Sequence, residues 1–243
     1  NYMSKILIIG GGAMGSAFSI PCLEKNNLVT ITEPYNKIFI KNLSSKKKFH
    51  SSLKLNLPKK LRFVNYSKDI FKKRYNLIVI ALSLAGIDFM EKELKDLSIK
   101  TPLLVLTKGL KYDKKKKKLL TISDLLKNNY NVTNVSVLKG PCLAKELAKK
   151  NKTSVVVANK NIKIAKQIGK IISTKYYLTE FSKDIIGIEI CSAIKNIYAM
   201  VIGTGQNLNA ESDLFQKSVN EMKFLIKYFK GDVSTILGLA GIG

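Results

Sequence analysis

The run Lys5-Ile6-Leu7-Ile8-Ile9, followed at once by Gly10-Gly11-Gly12-Ala13-Met14-Gly15, leaves this chain few ways to fold. A continuous apolar run of this kind suits a strand covered on both faces, the position strands occupy in a parallel sheet. G-x-G-x-x-G directly after it matches the turn from the first strand of a dinucleotide-binding unit into its first helix. That helix is predicted from Ser16 to about Asn26, with Ala17, Phe18, Ile20 and Leu23 on one side and a kink at Pro21. Leu28–Thr32 reads as the second strand, and Glu33 closes it at the spacing where an acid bonds the adenosine ribose. A carboxylate there repels a 2′-phosphate, which favours NAD slightly over NADP; Lys37 nearby works the other way. A glycine turn that only packs helix on strand is the plainer alternative.

The pattern repeats down the chain. Further strands are predicted at Leu61–Val64, Leu77–Ala81, Leu103–Leu106, Val135–Leu138, Ser154–Val157 and Tyr177–Phe181, with helices over Leu84–Leu97, Leu119–Asn129, Cys142–Lys149 and Ile162–Ser173. Strand alternating with helix implies an α/β, doubly wound, mostly parallel sheet of the Rossmann type. Lys41–Pro58 reads as a helix end followed by an exposed loop, and the lysine run Lys114–Lys118 as a solvated loop. Two strand ends stand out: Thr107-Lys108-Gly109-Leu110 and Gly140-Pro141-Cys142 both follow apolar strands, and ligands bind at the carboxyl ends of strands in open sheets. Lys108 is therefore a candidate site residue, ordinary surface charge being the alternative.

After residue 183 the alternation stops. Asp184–Gly205 is a long helical pattern on which Glu189, Ser192, Lys195 and Asn196 share one arc of roughly 120°. The rest of its circumference is apolar, which predicts a helix buried nearly all round. A lysine on such a helix is costly to desolvate. Lys195 is thus either paired within the core, with Glu189 as the obvious partner, or set on the wall of a site. A second helix over Ala210–Lys230 and an element starting at Ser234–Leu237 complete an expected division into a sheet domain, 1–183, and an all-helical domain, 184–243.

Composition excludes several classes. No apolar run of about 18 residues is free of charge, so no transmembrane helix is expected, and the start does not read as a signal peptide. Cys22, Cys142 and Cys191 are odd in number and far apart, which suits a reducing, cytoplasmic setting without disulfides. With His50 as the one histidine and no ligand cluster, a metal site is not expected. The net charge of +25 raises nucleic-acid binding. Against it, only Arg62 and Arg74 are arginines, and the lysines are spread through a chain rich in Asn and Ile, as an A/T-rich genome produces.

The pieces IIGGGAMGSA, VLTKGL, GPCLAKELA, EICSAIKNIYAMVIG and GLAGIG, in this order and spanning nearly the whole chain, make it resemble the soluble NAD(P)-dependent glycerol-3-phosphate dehydrogenases of bacteria and archaea. The resemblance implies reversible reduction of dihydroxyacetone phosphate to sn-glycerol 3-phosphate, feeding glycerophospholipid synthesis, and allows a homodimer. Carried over, Gly10, Gly12, Ala13, Met14 and Gly15 would cradle the pyrophosphate of NAD or NADP, with Glu33 by the ribose and Ala144 beside the cofactor. Lys108 would touch cofactor and substrate, and Gly140 and Cys142 would line the substrate. Lys195 would be the general acid/base, with Asn196 beside it. Cys142 departs from the threonine or other small residue usual in that family. Relatives also continue past GLAGIG with an aspartate and a later Arg-Asn pair, so the chain is expected to be a C-terminally truncated fragment. A related two-domain reductase of 2-oxo or 2-hydroxy acids, and a non-catalytic dinucleotide-binding fragment, are the alternative readings.

Overall fold

The computed structural model describes residues 3–43, 48–94, 98–114, 116–129 and 131–243. Eight strands form one sheet: β1 (Lys5–Ile9), β2 (Leu28–Glu33), β3 (Arg62–Asn65), β4 (Leu77–Ile80), β5 (Leu103–Val105), β6 (Val135–Lys139), β7 (Thr153–Ala158) and β8 (Tyr177–Ser182). Their spatial order is β8-β7-β6-β5-β4-β1-β2-β3. The chain builds outward from β1 in one direction and then, from β4, in the other. The reversal between β1 and β4 opens a crevice at the carboxyl ends of those strands.

Neighbouring strands are parallel except β6 and β7, which run antiparallel with Val137 opposite Ala158. The sheet is thus mostly parallel, as expected, with one antiparallel pair that the sequence does not locate. A strand buried on both faces carries no directional mark in its sequence, and the connection from β6 to β7 contains only the short helix α5 (Ala144–Ala148).

Helices cover both faces. Along β1, Ile6 and Ile8 belong to the core shared with α1 (Ala13–Glu24), α2 (Lys37–Leu43), α5 and α6 (Ile162–Ile172). Leu7 and Ile9 point the other way, into the core shared with α3 (Leu84–Leu94), α4 (Ile122–Asn129) and α7 (Ile185–Ile202). All four side chains are fully buried, each stabilising the fold by about 1.5–3 kcal/mol. The helix α1 continues through Pro21, and α8 (Leu208–Tyr228) packs on α7.

Several local readings change. The stretch expected as a loop before Pro58 holds a small antiparallel hairpin, Phe49–His50 with Leu55–Asn56, that buries His50; residues 44–47 lie outside the described residues. A second hairpin, Leu110–Asp113 with Lys118–Thr121, takes the lysine run at its turn, where Lys115 lies outside the described residues, and delays α4 to Ile122. The tail of the helix predicted over Leu84–Leu97 also lies outside them beyond Leu94.

The largest correction concerns α7. Its first half is buried, but Ile197 is 59% and Met200 76% exposed. Past Ile194, Tyr198, Ala199 and Ile202 line a cavity shared with α8 and residues 241–243. By length and composition α7 is, among the described residues, the one helix apolar enough to cross a membrane, with a mean hydropathy of 1.7. It also carries the buried Glu189.

Candidate active site

Gly10, Gly12 and Gly15 of the turn after β1 do different things. Gly10 has φ +115°, and a Cβ there would stand 2.5 Å from the Ala81 carbonyl oxygen at the end of β4. At Gly15 a Cβ would collide with the Gly10 carbonyl, so the helix can approach the turn only without a side chain. Gly12, the N-cap of α1, has no atom within 4 Å of a Cβ, and no side chain caps the helix. An open glycine beside free first-turn N–H groups and the positive end of a helix fits an approaching pyrophosphate. Ala13 and Met14 form the first turn above it.

The loop between them is clamped at Gly11. Its N–H donates to Glu33 Oε2 (2.8 Å), while the other Glu33 oxygen accepts from the Tyr35 N–H (3.0 Å). Its carbonyl accepts from the Ser16 hydroxyl (2.8 Å) and bonds His50 Nε2 (3.1 Å). Because His50 Nδ1 accepts from the Leu53 N–H, the proton sits on Nε2, which is the donor to Gly11. Nothing in the sequence marked His50; its role exists only through a tertiary bond to a backbone carbonyl. The side chain of Lys37, weighed against Glu33 for cofactor choice, lies outside the described residues.

On the opposite side of the crevice, the carboxyl ends of β5 and β6 present Lys108 and Cys142. Lys108 is exposed, and its charge reaches Lys139, Cys142 and Lys195. Gly140 lies against Val155 of β7. Ala144 begins α5, which packs against α1. Burial pushes the Cys142 thiol up to about 11 against the pull of Lys108, so it is a neutral wall residue at neutral pH.

Lys195 is half-buried, and its Nζ donates to the Gly243 carbonyl at 3.0 Å. Burial, with the Lys108 ammonium adding to it, holds the Lys195 ammonium below the ordinary lysine range. Lys195 and Asn196 line a cavity of about 210 Å³ between α7, α8 and residues 241–243. Asn196 is exposed at its rim.

Glu189 does not pair with Lys195. It is buried, takes hydrogen bonds from the N–H (3.1 Å) and hydroxyl of Ser123, and faces Lys139. Lys139 itself is buried and donates to the carbonyls of Thr107 and, at 3.4 Å, Val105. A lysine closing an apolar strand directly before Gly140 was the available clue to it. Among the described residues no group of three His, Cys, Asp or Glu gathers to hold a metal.

Residues 5–165 match the family model described as the NAD-dependent glycerol-3-phosphate dehydrogenase N-terminus, and residues 184–243 match that for its C-terminus. A curated glycerol-3-phosphate dehydrogenase (NAD(P)+) of Clostridium botulinum is 28% identical over 248 residues, covering 99% of this chain and 73% of the relative. An NADP(+)-dependent glycerol-3-phosphate dehydrogenase of Archaeoglobus fulgidus is 29% identical over 253 residues, covering 98% and 74%. Among solved structures, the glycerol-3-phosphate dehydrogenase of Coxiella burnetii superposes with a TM-score of 0.85 over all of this chain and 74% of its own, at 23% identity, a likeness of fold. A D-mandelate dehydrogenase is more distant, with a TM-score of 0.62 at 16% identity over 98% of this chain and 81% of its own.

Proposed function

The chain belongs to the NAD-dependent glycerol-3-phosphate dehydrogenase family, and from that premise we propose that it reversibly reduces dihydroxyacetone phosphate to sn-glycerol 3-phosphate with NADH or NADPH. The observation that carries the reading is a half-buried lysine, Lys195, lining a cavity on α7 within electrostatic reach of Lys108 at a strand end, in a chain whose glycine turn is open at Gly12. In this reading residues 1–183 bind the dinucleotide and 184–243 supply the substrate side. The three free cysteines support a reducing, cytoplasmic setting.

The nicotinamide, when bound, supplies the hydride that reaches C2 of the substrate. Negative charge then grows on the C2 oxygen. Lys195 donates a proton to that oxygen, and in the reverse direction takes it back. An ordinary lysine is a weak acid at neutral pH; burial beside a second ammonium makes Lys195 a better one. Lys108 contributes positive charge where the oxyanion forms. Asn196 orients a substrate hydroxyl, and Gly140 and Cys142 shape the wall. Gly10, Gly12, Ala13, Met14 and Gly15 would hold the pyrophosphate, with Glu33 at the ribose and Ala144 beside the cofactor.

The test is oxidation of NADH and NADPH by the protein with dihydroxyacetone phosphate, against a panel of unphosphorylated ketones and 2-oxo acids. Turnover restricted to the phosphorylated ketone supports the reading; turnover only of 2-oxo acids sinks it. In this reading Glu33, pinned by Gly11 and Tyr35, sits by the adenosine ribose, where its carboxylate would repel a 2′-phosphate and favour NADH. Glu33→Ala is expected to raise the NADPH/NADH ratio of kcat/KM by about tenfold, the worth of one repulsion at partly screened range. An unchanged ratio would remove Glu33 from cofactor choice.

A further inference from the structure

The bonds that close on Gly11 form one chain, running from outside the strand–turn–helix unit to Glu33. The Leu53 N–H donates to His50 Nδ1 (3.3 Å), and His50 Nε2 donates to the Gly11 carbonyl (3.1 Å). The Gly11 N–H donates to Glu33 Oε2 (2.8 Å), and the other Glu33 oxygen accepts from the Tyr35 N–H (3.0 Å). The carbonyl and the N–H of Gly11 belong to the two peptide groups flanking its Cα, so the chain fixes both. In a trans peptide the N–H points opposite to the C=O. His50 therefore also sets the direction of the Gly12 N–H, at the open position of the turn. The Ser16 hydroxyl shares the Gly11 carbonyl (2.8 Å) but belongs to α1 itself.

His50 is well placed to hold the turn from outside. It lies in the hairpin of Phe49–His50 with Leu55–Asn56, and Leu53 and Leu57 anchor that segment in the core shared with α1. Its own carbonyl accepts from the Lys54 N–H at 2.8 Å. Glycine loses more freedom on ordering than any other residue, and this turn has three in a row. A turn left loose must be ordered when its ligand arrives, whereas one held beforehand binds more tightly. We propose that His50 is a positioning residue for the dinucleotide, pre-setting the Gly11–Gly12 peptide and, through the Gly11 N–H, the Glu33 carboxylate. At 1% exposed it acts through the glycine turn and not by touching the cofactor. The role deepens the dehydrogenase reading and rests on it for the cofactor; the link from hairpin to turn does not.

Two substitutions separate the two ring nitrogens. The amide N–H of His50→Gln reaches about as far as Nε2 and can still donate to Gly11. The side-chain oxygen of His50→Asn stands about where Nδ1 does and can still accept from Leu53, but its amide falls short of Gly11. Both variants are expected to melt within a few degrees of the parent. In His50→Asn the NADH dissociation constant should rise by about 3–10-fold, the scale of one lost hydrogen bond. Its kcat with dihydroxyacetone phosphate at saturating NADH should stay near the parent's, so the change falls on KM. Amide hydrogen exchange of the peptide covering residues 10–15, measured by mass spectrometry without cofactor, should quicken severalfold. His50→Gln should match the parent in all three. A folded His50→Asn with parental NADH affinity overturns the proposal, and so does a His50→Gln as impaired as His50→Asn. Failure of either variant to fold overturns it too, because His50 would then hold the core and not the turn. If the parent protein binds no NADH, the dehydrogenase reading fails, and the exchange result still decides whether His50 orders the turn.

Discussion

Replacing Lys195 by alanine is expected to lower turnover by about 10²–10⁴-fold, the contribution of a placed general acid, while NAD(H) affinity changes little. The lysine lies on α7, whereas the glycine turn and Glu33 belong to β1, α1 and β2, so its loss removes the proton donor without touching the cofactor's cradle. A companion result concerns pH. Ketone reduction needs the ammonium form, so kcat falls as pH rises through the Lys195 pKa, which burial and Lys108 hold below the ordinary lysine value. Lys108→Met removes one of those two causes, the pKa rises, and the descending limb moves to higher pH. Stopped-flow or steady-state pH profiles check both statements. Near-normal turnover in Lys195→Ala, or a limb that stays put in Lys108→Met, would require another acid.

The second large effect separates two glycines three residues apart. Gly15→Ala places a methyl against the Gly10 carbonyl and forces α1 off the turn; a loss of stability of about 1–3 kcal/mol or more is expected, the cost of overpacking. At Gly12 a Cβ meets no atom within 4 Å, so Gly12→Asp should leave the melting temperature nearly unchanged. Its carboxylate, however, stands at the mouth of the helix where the pyrophosphate would rest. NADH affinity should drop by at least about tenfold, the scale of one like-charge contact near a surface. Thermal melts and NADH fluorescence titrations read the two outcomes. Tight NADH binding by Gly12→Asp would place the pyrophosphate elsewhere.

Most of the sheet could be read from the chain because its strands are apolar on both faces: Leu7 and Ile8 face opposite cores and neither is exposed. The same property hid the direction of β7, since a strand that is apolar throughout looks alike in either sense. The hairpins around His50 and after Leu110 escaped because short strands among lysines lack a period. At the site, the glycine turn, Lys108 and Lys195 were legible through spacing and a stripe on one helix. Their supports were not: His50 bonds a carbonyl 39 residues away and Lys139 one 32 residues away, relations that no local pattern encodes. The half-exposed α7 misled for a related reason, as apolar residues at Ile197 and Met200 say that a face is hydrophobic but not what, if anything, covers it.

The backward run of β7 makes α7 a measuring rod. Asn159, just past β7, bonds the Ser182 carbonyl and, through its side chain, the Val135 carbonyl at the foot of β6, so the chain leaves β8 at the foot of the sheet. From there α7 climbs against β6. The rise from Ile185 to Lys195 is about 15 Å, close to the height of the five residues of β6 at about 3.3 Å each. Lys195 is therefore delivered to the crevice by count. Removing one residue between 185 and 195 would lower the lysine by about 1.5 Å and swing it by about 100°, out of register with Lys108, whereas the turn at Gly203–Gly205 can change length without moving it.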